Sequence, residues 1–148
     1  MEQLANFSIV TGTRLAEVFN SKYRIYLCGG AQIKQEDIAC ILDDKLEIGS
    51  SCYREFSADT PHFHTHATEY VFIVQGAMKV WLINEHREYV LEKGSLFVLQ
   101  PNTPYASKNA TETQTLFVKC PGGNDKKEVP VDEWLARWLS AWDAPVIL

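Results

Sequence analysis

The sequence has no CxxC pair, no run of five like charges, no internal repeat and no low-complexity tract. Each absence removes a class of function. Without clustered Lys and Arg, and with a formal net charge of −5, the chain is not expected to bind nucleic acid, because phosphate contacts need concentrated positive charge. No window approaches the roughly eighteen apolar residues of a membrane span, so no membrane partner is expected. The segment Met1 to Val10 carries an acid at Glu2 and no apolar h-region, and is read as lacking a signal peptide. Cys28, Cys40, Cys52 and Cys120 are widely spaced, the pattern of reduced, mostly buried thiols in a cytoplasmic protein. What remains is ordinary globular composition, 46% hydrophobic and 22% charged over 148 residues. That length fits one domain spanning the chain.

The central stretch is a series of short apolar-rich runs separated by turn residues. Leu46 to Phe56, Pro61 to His66, Glu69 to Val74, Ala77 to Asn84, Glu88 to Leu91, Leu96 to Leu99 and Thr113 to Cys120 read as strands. The separators are Ser57-Ala58-Asp59-Thr60, Gln75-Gly76, Asn84-Glu85-His86-Arg87 and Lys93-Gly94. Strands of this length at regular spacing predict an all-β antiparallel sandwich or barrel. Lys22 to Cys28 and Ile38 to Leu42 read as outlying strands, with a turn at Asp43 and Asp44. Two helices flank this region. Thr11 to Asn20 suits a short helix capped by Thr11 or Thr13, with Leu15, Val18 and Phe19 on one face. Pro130 or Val131 opens a second one, with Asp132 and Glu133 in its first turn and Trp134, Leu135, Trp138, Leu139 and Trp142 forming an apolar stripe. The loop Pro121 to Asp125 lies before it.

Three of the four histidines fall in His62-Phe63-His64-Thr65-His66. On a strand His62 and His64 project from one face with Cα atoms about 6.5–7 Å apart, and two imidazoles so placed reach one metal at about 2.1 Å. A carboxylate would supply the negative charge, and Glu69 is the first candidate. Five residues from His64, strict alternation points Glu69 to the other face, so a turn or bulge within Thr65 to Thr68 must intervene. His66 shares the facing of the pair if the strand continues, and is a reserve ligand or a contact to substrate. Arg54 and Lys119 sit in otherwise apolar runs; either could face inward onto an anionic ligand group, or lie on a solvated edge. His86 falls in a hairpin turn, where it is expected to be solvated.

His62-x-His64-x4-Glu69-x6-Gly76 resembles the first motif of the cupins, in which the two His and the Glu are metal ligands and the Gly ends the strand. The motif's leading Gly would fall at Phe56. The second cupin motif, Gly-x5-Pro-x-Gly-x2-His-x3-Asn, aligns without gaps on Gly94, Gln100, Asn102, Tyr105 and Asn109. Asn102 in the turn-glycine position is physically sensible, since Asn tolerates the left-handed backbone. Tyr105 stands where the resemblance places the fourth metal ligand. The similarity spans Leu46 to Cys120, about half the chain, and implies a jelly-roll β-barrel core over about 46–120 with a C-terminal helix at about 131–142. It also implies a small ligand in the barrel, often a homodimer, and a divalent metal cation (Ni, Fe, Mn, Zn or Co) on His62, His64, Glu69 and, in one reading, Tyr105.

Two imidazoles and one carboxylate make a facial ligand set with open positions. Such a centre polarises a carbonyl or hydroxyl as a Lewis acid, or activates oxygen when the metal is iron. Tyr105 then has three available roles: ligand, proton donor or acceptor, or a space-filling residue in a site that has lost metal affinity. Tyr105 and Glu69 are the candidate catalytic pair. The expected function is a metal-dependent enzyme acting on a small polar metabolite, such as a sugar or sugar acid, by Lewis-acid-assisted proton transfer of the isomerase or tautomerase type. An Fe(II)-dependent dioxygenase and a non-catalytic small-ligand binding or sensor domain are the alternatives.

Overall fold

The computed structural model describes residues 8–20 and 22–145; residues 1–7, most of the segment considered above for a signal peptide, lie outside them. The first helix, α1, runs over Gly12–Val18, its N-terminus capped by the Thr11 side chain, which accepts from the Arg14 amide. Twelve strands follow: β1 Arg24–Gly29, β2 Ile41–Leu42, β3 Glu47–Tyr53, β4 Ser57–Ala58, β5 His62–His64, β6 Thr68–Gln75, β7 Ala77–Leu82, β8 Arg87–Glu92, β9 Leu96–Leu99, β10 Tyr105–Asn109, β11 Thr113–Cys120 and β12 Lys126–Glu128. The chain then turns into α2, Glu133–Leu139, where Asp132 is the N-cap rather than a first-turn residue and accepts from the Leu135 amide. The twelve strands form two sheets, ordered β2-β1-β3-β11-β6-β9 and β12-β5-β10-β7-β8, with β4 pairing β10. This is the expected jelly-roll barrel.

Alternation decides what each strand buries. On β6 the residues Val71 and Ile73 are buried while Tyr70, Phe72 and Val74 are exposed. Val71 and Ile73 join Met78, Val80, Leu99 and Tyr105 in the barrel core. The outer faces are covered unevenly. α2 lays Leu135 and Trp138 over Trp81 and Ala106, each buried apolar side chain contributing about 1.5–3 kcal/mol. α1 covers Ile25 with Val18 and Phe19.

Three readings of the sequence are corrected. Ser57-Ala58, read as a separator, is a short strand because its backbone pairs with Lys108 and Asn109. Tyr105–Asn109 is a strand where none was read: all five residues are buried, so no polar alternation marks it. The sheets also reach beyond 46–120, since β1 pairs β3 and β12 pairs β5. Two backbone expectations hold. Asn102 has φ 63°, and Gly76, closing β6, has φ 78°; a Cβ at Gly76 would also strike Thr113, 2.7 Å from its Cα.

Candidate metal centre and ligand cavity

β5 is only three residues long, which suffices to aim His62 and His64 the same way, and both are buried. The chain then leaves one sheet for the other. Residues 65–67 make that crossing, and β6 restarts the alternation so that Glu69 shares the inward face of Val71 and Ile73. The required break between His64 and Glu69 is therefore a change of sheet. Tyr105 pairs in register with His62 across β10 and β5, its ring 4.8 Å from the His62 ring. Nitrogen or oxygen atoms of His62, His64 and Glu69 all lie within 4.8 Å of one another.

The outer nitrogen of each imidazole is already committed. His62 Nδ1 lies 2.7 Å from the Thr60 carbonyl oxygen, so it carries the proton and leaves Nε2 with a lone pair. His64 Nδ1 lies 2.8 Å from Asp125 Oδ1, whose other oxygen accepts from the amides of His66 at 2.9 Å and Ala67 at 2.8 Å. His64 Nε2 is 2.8 Å from Glu69 Oε2, yet off the line a hydrogen bond needs, and it is a buried nitrogen without a hydrogen-bond partner. A lone pair on Nε2 facing a carboxylate oxygen at that distance is repulsive unless a cation or a proton lies between them. The residues therefore fit a divalent cation: His62 Nε2, His64 Nε2 and Glu69 would hold it, with Thr60 and Asp125 fixing the tautomers.

The electrostatics agree. Burial pushes the His62 imidazole below its ordinary value, keeping it neutral. Burial pulls His64 the same way, but Glu69 and Asp125 outweigh it and raise the ring above its ordinary value. For Glu69 burial acts upward, and His64 and the Tyr105 hydroxyl overcome it, so the carboxyl is lowered. Asp125 is held well below the carboxylate range, because the His66 and Ala67 amides and the His64 ring outweigh its burial. Tyr105 moves the other way: burial, then the adjacent Glu69 charge, raises its phenol well above 10. Its hydroxyl donates to Glu69 Oε1 at 3.0 Å.

His62, His64, Glu69 and Tyr105 line a cavity of about 210 Å³ inside the barrel, with Asp125 behind His64 and outside that lining. Of the residues considered as substrate contacts, Lys119 lines it, bound to Glu47 at 3.3 Å rather than solvated. His66 and Arg54 do not. His66 is exposed because β5 ends at His64, and Arg54 turns outward to bond the Phe19 carbonyl and Asn20. His86 is exposed, as expected. Asp125, which orients His64, and Arg24, which lines the cavity, are not among the residues expected from the sequence. Asp125 is sixty-one positions from His64 and carries no local signal. Arg24 lines the cavity with Tyr26; here the alternation of Arg24 and Tyr26 against Ile25 and Leu27 was a usable sign.

Residues 55–119 match the family described as the Cupin domain. No curated protein matches the sequence. Among solved structures, the chain is similar to KdgF from Halomonas sp., with 19% identity, 69% of this chain and 80% of that one covered, and a TM-score of 0.54. It is also similar to Pac13, described as a nucleoside dehydratase, from Streptomyces, with 15% identity, coverage of 59% and 70%, and a TM-score of 0.51. A third is the polyketide cyclase RemF from Streptomyces resistomycificus, at 16% identity, 62% and 65% coverage and a TM-score of 0.52. At these identities the likeness is one of fold.

Proposed function

With residues 55–119 matching the Cupin domain family and a cupin-like fold around them, we propose that this chain is a metal-dependent enzyme that moves a proton beside a carbonyl in a small polar metabolite, such as a sugar or sugar acid. The observation that carries this reading is the partnerless, buried His64 Nε2 facing Glu69, with His62 alongside and Tyr105 at hydrogen-bond distance from the same carboxylate. His62, His64 and Glu69 would hold the cation, and the cation would supply Lewis-acid polarisation of a substrate oxygen.

Tyr105 is then the proton donor rather than a ligand. Its phenol is neutral at physiological pH because burial and the Glu69 charge both oppose ionisation, so it arrives carrying its proton. Glu69 Oε1 accepts that hydrogen bond while Oε2 lies on the His64 side, so one carboxylate orients the hydroxyl and contributes to the cation site. The apolar floor of Val71, Met78 and Phe97 excludes water from one side of the cavity. General acid catalysis by such a group contributes about 10²- to 10⁴-fold. Homodimer formation belongs to the same proposal. It is supported by the row Tyr70, Phe72, Val74, Leu96 and Val98, 37–59% exposed on one sheet face, since contiguous apolar surface of this kind marks contact sites.

The test is metal content by mass spectrometry, followed by mass-spectrometric detection of solvent deuterium in a panel of uronates, ketoses and keto acids. Stoichiometric metal that disappears in His64→Ala, with deuterium entering at least one compound, supports the reading. Stoichiometric metal with no exchange and no turnover removes it, and oxygen uptake by iron-loaded protein would replace it with dioxygenation.

A further inference from the structure

Three cations line the cavity, Arg24, Lys119 and Lys126; Lys126 is exposed on β12, and Arg24 is the one among them that presents a planar guanidinium. It enters from β1, three strands along the sheet from Glu69 on β6, or roughly 14 Å by strand spacing before curvature brings the walls together. Its guanidinium lies within cation–π distance of two rings, with Cζ 5.5 Å from the Tyr23 ring centroid and 5.6 Å from that of Phe117. Gly49 makes room for Phe117, since a Cβ there would collide with the ring.

One edge of the guanidinium is consumed. Nε donates to Ser51 Oγ at 3.1 Å and Nη2 to the Tyr53 hydroxyl at 3.0 Å. The end-on edge, made of Nη1 and the second Nη2 hydrogen, has no acceptor within hydrogen-bonding distance among the described residues. Asp59 Oδ2 is 4.0 Å from Nη2. The charge is permanent, because Tyr53 and Asp59 outweigh the burial that opposes it. Lys119 offers no comparable free group, being tied to Glu47 and the Gly123 carbonyl. A guanidinium bonded along one edge to Ser51 and Tyr53 and close to two aromatic rings is oriented before any ligand arrives. What it presents is a planar, two-donor fork.

We infer that Arg24 binds the carboxylate of the substrate, which is a small hydroxy or keto acid lying between the Arg24 fork and the His62–His64–Glu69 cluster. A carboxylate matches the fork as a planar two-oxygen acceptor. A phosphate dianion fits less well at the fork itself, because Asp59 Oδ2, 4.0 Å from Nη2, would repel the second charge. The inference deepens the proposed function, and rests on it for the end of the ligand that meets the metal. The acid end rests on Arg24 alone.

The experiment is isothermal titration of the full-length, Mn(II)-loaded protein with three acid–neutral pairs: lactate and propane-1,2-diol, glycerate and glycerol, glucuronate and glucose. Glucose 6-phosphate is the phosphate arm. At least one acid binds more tightly than its neutral partner in the wild type. Arg24→Gln weakens that acid by about 10- to 100-fold, the range of a hydrogen-bonded charge, and leaves the neutral partner unchanged. Arg24→Lys keeps the charge but loses the fork; it falls between the two and decides the matter if Arg24→Gln does not fold. Equal affinity for acid and neutral, no acid binding at millimolar concentration, an unchanged preference in the variants, or preference for the phosphate ester would each overturn the assignment. Metal content of His64→Ala is measured in parallel. If metal is absent from all proteins while the Arg24-dependent acid preference persists, the metal reading fails and this one stands. If metal binds stoichiometrically and the preference is missing, the reverse holds.

Discussion

Asp125→Asn isolates the group that sets the His64 tautomer. In the native arrangement one carboxylate oxygen accepts from His64 Nδ1 and the other accepts two backbone N–H groups, those of His66 and Ala67. An asparagine has only one oxygen. Turning its NH₂ toward the two amides would set donor against donors, so the oxygen takes that side and the NH₂ faces His64. Nδ1 must then accept, and the proton moves to Nε2, the nitrogen that faces Glu69. A protonated Nε2 cannot ligate. Loss of such an outer partner weakens metal binding about 10- to 100-fold, roughly 1.4–2.8 kcal/mol. The variant also exchanges charge-assisted hydrogen bonds for neutral ones, a cost of roughly 1 kcal/mol or more, so its melting temperature falls. Competition of Zn(II) or Co(II) against a chromophoric chelator gives the affinity, and ¹⁵N NMR of the His64 ring gives the tautomer. Unchanged affinity would refute the reasoning. So would a weakened site in which Nδ1 still carries the proton, because the loss would then come from something other than the tautomer.

Other outcomes follow from the same contacts. The metal-free protein should be most stable in mildly acidic solution. Asp125, with its pKa lowered, contributes stability that is present above about pH 3.9, the unfolded carboxyl value, and is lost as pH falls toward its folded value. His64, with its pKa raised, contributes stability that is complete below about pH 6.5 and is lost as pH rises through its folded value. Metal requires the neutral ring, so affinity rises with pH across that same upper window; thermal melts with and without chelator check both, and a metal-free melting temperature that climbs from pH 6 to 8 would contradict the assignment. Gly76→Ala should destabilise by about 1–3 kcal/mol, from strain at φ 78° and the collision with Thr113, read from a denaturant midpoint. Lys108→Met should loosen α2, because the fully buried Lys108 donates to the Trp138 carbonyl at 2.7 Å and the Ala141 carbonyl at 2.8 Å. The expected loss is about 2–4 kcal/mol for two orphaned carbonyls, with faster hydrogen exchange confined to residues 133–142; uniform exchange throughout would place the defect in the barrel instead.

How much of this was legible in the sequence varies with how local the cause is. The strand Leu96–Leu99 was read with the bounds it has, and Thr113–Cys120 likewise, because apolar alternation and flanking turn residues are properties of neighbours along the chain. The pairing of His62 with His64 followed from the two-residue period of a strand. The break before Glu69 followed from the failure of that period over five residues. Asn102 in the left-handed region followed from what an Asn side chain tolerates. The strand Tyr105–Asn109 escaped because it is buried on both faces: Tyr105 faces the core, while Ala106 packs beneath α2 and Lys108 bonds to its carbonyls. Its alternation was therefore between two kinds of interior. Lys126–Glu128 escaped for the opposite reason, since all three residues are exposed and the strand exists only by pairing with β5.

By itself, then, the sequence determined which residues could ligate a metal, and that an all-β barrel would carry them, because spacing and periodicity are one-dimensional quantities. Only the tertiary structure decided that Asp125 fixes His64 from sixty-one residues away, that Arg24 and not Arg54 lines the cavity, and that Glu69 orients the Tyr105 hydroxyl. Those facts depend on which strands of two sheets become neighbours, and that choice is made by burial of the whole core at once rather than by any segment alone.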